Sequence, residues 1–195
     1  MTAAIQALSA WEAVAVVLGV AYLLLAMREN LWCWYAAFVS TAIFLVLFWD
    51  VGLLMESALQ VYYLAMAVYG WWHWQRGSGG QTGLQISSWH TRQHLIAIGS
   101  VLLISAVSGA LLQRYSDAAL PHLDSFTTWG SILTTWMVAR KILENWLYWL
   151  VIDSVSIYLY LDRGLYLTAL LFVVYLIIVI FGYRKWLQHY RAISG

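Results

Sequence analysis

Asn145, Trp149 and Asp153 follow one another at intervals of four, with Ser156 three residues further on. That spacing puts all four on one face of a helix. The surrounding run, "NWLYWLVIDSVSIYLYLD", is otherwise oily. In a helix over 145–162, Asp153 sits about 12 Å from either end. A carboxylate at such a depth in lipid costs about 2.5–3.5 kcal/mol, so it should face a protein interior or a watery cavity and have a partner. An ionised carboxylate only accepts hydrogen bonds and favours a cation or an amino group. Tryptophan faces attract flat cationic rings, and Trp146 and Trp149 lie beside the acid. This is chemistry for holding a ligand, not for breaking bonds. A second polar stripe runs through Glu56, Gln60, Tyr63, Ala67 and Gly70. The Gln60 amide both donates and accepts, which suits the edge of a heterocycle.

Structural roles compete with these. Asn30 and Asn145 each follow a Glu at a helix start and could hold backbone groups there. Trp34, Trp74, Trp146 and Trp186 fall at span ends, where interfacial belts are the default. Gln60 could bond a neighbouring helix. Asp153 could accept from a Tyr, Trp or Ser of another span.

Other chemistries find little support. The five His residues, 73, 90, 94, 122 and 189, fall at span ends or in loops, so no metal or haem site is expected. Lys141 and Lys185 lie at span ends, against a buried Schiff base. The one cysteine, Cys33, allows no internal disulfide and no multi-Cys metal site. Neither a GxSxG elbow nor a phosphate-binding Gly-rich loop with Lys-Ser/Thr is present. No enzyme activity and no cofactor are expected. A formal charge of +1 offers nothing to nucleic acid.

The elements that must position these residues are membrane helices. Of the 195 residues, 63% are hydrophobic and 10% charged, against about 25% charged in soluble domains. Seven stretches approach the roughly 20 apolar residues a span needs: 11–27, 31–49, 53–74, 94–113, 125–138, 146–161 and 165–186. The first basic residue, Arg28, follows the first apolar stretch, so no cleavable signal peptide is expected. With loops alternating between two sides, Arg28, Arg76, Arg92, Arg140, Lys141, Arg184, Lys185 and Arg191 share one side, and Arg114 and Arg163 the other. The positive-inside rule then puts the N-terminus outside and the C-terminus in the cytoplasm, as in a bacterial inner membrane.

The halves resemble each other. "ENLWCW" (29–34) matches "ENWLYW" (144–149) at an offset of 115, and "DVGL" (50–53) matches "DRGL" (162–165) at 112. The offset of 112 also pairs Tyr63 with Tyr175, Gly70 with Gly182 and Trp74 with Trp186. A three-residue deletion near the end of the second span reconciles the two offsets. On that register Asp153 pairs with Phe38, and the acid exists in one copy only. The expected fold is an all-α integral membrane protein with seven transmembrane helices in a 3+1+3 parallel pseudo-twofold repeat, the plan of SWEET transporters. Residues 1–75 form the first three-helix repeat and 76–123 a cytoplasmic loop plus linker helix. Residues 124–195 form the second repeat. Transport between two such bundles is the expected function, with Trp149, Asp153, Gln60, Trp146, Tyr63, Trp34 and Asn145 as substrate-binding candidates.

"LQVYYLAMAVYGWWHW" (59–74) and "ARKILENWLYWLVIDSVSIYLYLDRGLY" (139–166) resemble the PnuC family of vitamin transporters, as does "DS" (124–125). The resemblance covers nearly the whole chain. It implies a seven-span homotrimer that takes up nicotinamide riboside or, in the PnuT relatives, thiamine. It also implies facilitated diffusion, with an intracellular kinase trapping the product. The family's span-six signature, W-x-x-W overlapping W-x-x-x-N, maps onto Trp146 and Trp149, and Gln60 matches the family's span-three Gln. Asp153 replaces the family's Asn. Because the swap sits at a motif position, the reading favours cationic thiamine, with nicotinamide riboside as the alternative. Riboflavin, larger and uncharged, fits less well. The rival class is a membrane-embedded vitamin-binding subunit served by a separate energising partner.

Overall fold

The computed structural model describes residues 2–50, 54–76, 83–115, 120–162 and 164–194. The Gly/Ser-rich stretch at 77–82, Asp117 and Arg163 lie outside them, as does the side chain of Glu56. Helices satisfy every backbone group within the segment, which lipid demands. The described residues accordingly form seven helices: α1 Thr2–Met27, α2 Cys33–Asp50, α3 Leu54–Arg76, α4 Thr91–Tyr115, α5 Pro121–Ala139, α6 Asn145–Asp162 and α7 Tyr166–Ser194. Each expected span has its helix. The first helix starts well before residue 11 and the last runs past 186.

Four helices hold stretches long and apolar enough to cross a membrane: Ala10–Met27, Cys33–Asp50, Thr91–Tyr115 and Thr168–Ile193. The other three, α3, α5 and α6, carry Gln60, the Ser/Thr-rich run and Asp153. Polar content, the same property that makes them interesting, lowers their hydropathy.

The chain divides into two compact units, Met1–Gln85 and Ile86–Gly195. In the first, α2 packs against both α1 and α3. Ala15, Cys33, Trp34, Ala67 and Trp74 are buried there, and the Ser40 hydroxyl donates to the Ala15 carbonyl at 2.7 Å. In the second, α4 packs on α5, α5 on α6, and α6 on α7. Its core includes Met137, Trp146, Ile152, Leu159, Val179 and Trp186. Leu95, Leu103 and Val107 of α4 are exposed, a surface suited to hydrocarbon.

The connection between α1 and α2 and that between α5 and α6 use the same corner. The Glu29 N–H donates to Ala26 and Asn30 N–H to Leu25; likewise Lys141 N–H donates to Val138 and Ile142 N–H to Met137. These paired bonds form a Schellman motif, which needs a left-handed residue after the helix. Glu29 (φ 54°) and Lys141 (φ 49°) supply it although neither is glycine. The cost is about 1–2 kcal/mol each.

The two corners recur at a spacing different from that of the matched letters "EN…W". Glu29 and Lys141 are 112 positions apart, and so are the starts of α2 and α6 and of α3 and α7. The offset of 112 therefore runs from the corner to the last helix with no deletion. The local identity "EN…W" drew the helix start to 115, but hydrogen bonding sets the corner. At that spacing Trp34 corresponds to Trp146, not Trp149. Asn30 pairs with Ile142, and Asp153 with Thr41 instead of Phe38.

Candidate substrate site

Trp34 opens α2 and is 2% exposed; Trp146 opens α6 and is 1% exposed. Each lies on a glycine one helix further along. A Cβ at Gly182 would stand 2.6 Å from Cζ3 of Trp146, and one at Gly70 would clash with Cζ2, Cη2 and Cε2 of Trp34. Each indole then meets a second tryptophan edge-on. Trp34 and Trp74 have ring centroids 5.3 Å apart at 86°, and Trp146 and Trp186 are 5.4 Å apart at 87°. Glycine is required because only it lets helix backbone and indole come this close. The belt expectation fails for all four tryptophans: they are buried packing residues. One difference separates the two contacts. Trp34 turns its nitrogen-bearing edge to Gly70, whereas Trp146 turns the opposite edge to Gly182.

In the second unit, the face expected of α6 is present. Asn145 is fully buried, Asp153 is 3% exposed and Ser156 is buried, while Trp149 is half-buried between them. Asn145 has the backbone-holding role: its Nδ2 donates to the Ile142 carbonyl at 2.6 Å, bracing the corner. Its Oδ1 and the Trp146 Nε1 are buried without a protein partner. Asp153 lies within electrostatic reach of the Tyr175 hydroxyl on α7, as does Tyr160. Phe172 completes an aromatic row, 5.0 Å from Tyr160 and 5.3 Å from Tyr175 between ring centroids. On the α5 side, Gly130 admits Ile152, whose side chain would lie 3.1 Å from a Cβ there. Among the described residues no Lys or Arg pairs with Asp153.

Gln60, Tyr63 and Trp34 belong to the first unit. Gln60 and Tyr63 are half-buried on α3. Tyr63 lies 5.6 Å from the ring of Tyr62 and within electrostatic reach of Tyr22 on α1. Further down the same stripe, Ala67 and Gly70 are buried beneath α2, so its lower half is packing.

The family model described as "Nicotinamide mononucleotide transporter" matches residues 9–188. The chain belongs to this family. Its members are membrane transporters, and the resemblance carried by residues 59–74 and 139–166 holds. The riboflavin/roseoflavin transporter RibM of Streptomyces davaonensis is 30% identical over 176 residues, covering 87% of this chain and 81% of its own. The nicotinamide riboside transporter PnuC of Escherichia coli is 26% identical over 206 residues, covering 92% and 86%. The crystal structure of the vitamin B3 transporter PnuC superposes with a TM-score of 0.75 at 19% identity, over 94% of this chain and 83% of that one. That likeness extends the shared fold to nearly the full length.

Sequence reasoning missed a group of contacts at the start of α6. Ser88 and Trp89, in the segment before α4, bind the carboxylate of Glu144. His94 Nδ1 lies 2.9 Å from the Tyr148 hydroxyl. No spacing pattern announces contacts between residues more than 50 positions apart.

Proposed function

We propose that this chain carries nicotinamide riboside across a bacterial inner membrane. The observation behind a cationic substrate is Asp153: a buried acid in mid-helix with no cation beside it among the described residues. A buried unpaired charge is costly, and a cationic pyridinium would offset it. Thiamine is cationic too, and the sequence favoured it. The relatives named, however, carry nicotinamide riboside and riboflavin in their names, so nicotinamide riboside replaces thiamine as the reading. Riboflavin has kinship on its side but no charge for Asp153.

In this reading Asp153 faces the positive ring and Trp149 stacks on it. Gln60 and Tyr63 remain contacts proposed from sequence, whereas Trp34 and Trp146 are taken up in packing and Asn145 in bracing the corner. Seven spans in a 3+1+3 parallel repeat are supported by the recurring corner and Trp–Gly–Trp contacts. An N-terminus outside and a C-terminus inside rest on the basic residues, among them Arg140, Lys141, Arg184 and Lys185, falling on one side of that arrangement. Homotrimers and facilitated diffusion with phosphorylation trapping complete the proposal. The deciding experiment is calorimetric titration of detergent-purified protein with nicotinamide riboside, riboflavin and thiamine, followed by uptake into liposomes containing this protein alone. Binding of riboflavin only would overturn the substrate. Binding without uptake would favour a subunit that needs an energising partner.

A further inference from the structure

The corner at Met137–Asn145 is clasped by a second piece of chain. The Ser87 N–H donates to the Lys141 carbonyl at 3.0 Å, and the Leu143 N–H donates back to the Ser87 carbonyl at 2.8 Å. This is a backbone bridge between Ser87 and Ile142. Ile86 is buried beside it. Glu144, the residue before α6, accepts the Ser88 hydroxyl on Oε1 and the Trp89 N–H, 3.2 Å away, on Oε2. The Trp89 ring then lies 6.0 Å from Trp136 of α5.

The corner also closes through its own backbone bonds, Lys141 N–H to Val138 and Ile142 N–H to Met137. The equivalent corner at Leu25–Cys33 closes with the same backbone bonds. Among the described residues the backbone bridge occurs only at the second corner. The strap is made where α6 begins, on the helix that carries Trp149 and Asp153. At 100° per residue, Glu144 and Tyr148 lie roughly 100° or more around the helix from those two. The strap grips α6 without covering its polar face.

We propose that Glu144 is a positioning residue for transport. Its carboxylate latches the strap onto the start of α6, holds the cytoplasmic end of that helix closed, and lets go when the helix tilts to release substrate. Charge-assisted bonds from a hydroxyl and an amide are strong enough to hold, and few enough to break without unfolding the unit. The inference rests on the transporter reading and its orientation, but the latch can be tested apart from the substrate.

Two measurements on the full-length protein decide it. The first is amide hydrogen exchange in detergent. In Glu144→Gln and Ser88→Ala, the Ser87 and Leu143 amides should exchange at least tenfold faster than in wild type. Ile142, bonded to Met137, should keep its protection. Loss of protection at all three together would make the strap an ordinary part of the fold and overturn the latch. The second is uptake of nicotinamide riboside by proteoliposomes. The same variants should raise the maximal rate about fivefold, with affinity within twofold of wild type. Ser88→Thr, which keeps the hydroxyl, should match wild type. An unchanged rate, or rate and affinity falling with the melting temperature, would overturn the proposal. If wild-type protein moves riboflavin and not nicotinamide riboside, the substrate reading fails and the latch is judged on riboflavin by the same criteria.

Discussion

Trp146 presses the benzo edge of its indole onto the backbone of Gly182, with Cζ3, Cε3 and Cη2 all within 2.7 Å of where a Cβ would stand. Nothing flexible lies between them, so a methyl group there must displace either the ring or the helix. Gly182→Ala and Gly70→Ala should each lower stability by about 1–3 kcal/mol, the range for overpacking. Gly99 on α4 has nothing within 4 Å, and Gly99→Ala should be neutral or stabilising by up to about 1 kcal/mol. Thermal unfolding of the three variants in one detergent separates close approach from helix propensity.

Asp153→Asn keeps the shape of the side chain and removes the charge. Binding of nicotinamide riboside should weaken about threefold, on the order of 0.6 kcal/mol, because the amide that the family signature carries here still pairs with the ligand, while the melting temperature stays level or rises because a buried charge has gone. Calorimetry alongside thermal unfolding tests this. Equal affinity in both proteins would make the acid structural.

Tyr175→Phe removes the hydroxyl within electrostatic reach of Asp153. If that hydroxyl orients the carboxylate, affinity should fall about threefold, on the order of 0.6 kcal/mol. Stability should hardly change. Tyr158→Phe, on an exposed face of the same α6, is the control and should bind as wild type.

Asn145→Ala loses the bond from Nδ2 to the Ile142 carbonyl. In a fully buried setting this should cost about 1–3 kcal/mol. Asn30, whose Oδ1 accepts the Trp32 N–H at 2.9 Å, is exposed; Asn30→Ala should cost well under half as much. Chemical denaturation of the two variants makes the comparison.

Cys33 is fully buried. A membrane-permeant maleimide should label the folded wild-type protein at a small fraction of the rate seen after denaturation. Trp34→Ala, which opens the packing next to it, should raise that rate severalfold. Mass spectrometry reads the labelled fraction.

Much of this protein follows from its sequence taken alone. Apolar segments of span length leave a chain in lipid no option but helices or closed barrels, because water is not there to satisfy the backbone. The helix count, the polar face of α6 and the family are legible for that reason: all three rest on local composition and local spacing. An acid in an oily helix also announces itself, because its cost is paid within one turn.

What the tertiary structure decided lies between segments. Matching letters placed the repeat at an offset of 115 around Glu144. The Schellman bonds and the left-handed residues Glu29 and Lys141 recur 112 positions apart, since a corner is set by backbone geometry and not by residue identity. Tryptophans that composition assigns to a lipid interface are buried against glycines, because only a neighbouring helix can offer an indole a surface without a Cβ. Glu144 reads as a helix-start acid on its own chain segment. Its bonds come from Ser88 and Trp89, more than 50 positions earlier, and contacts that long-range exist only once packing has brought the segments together.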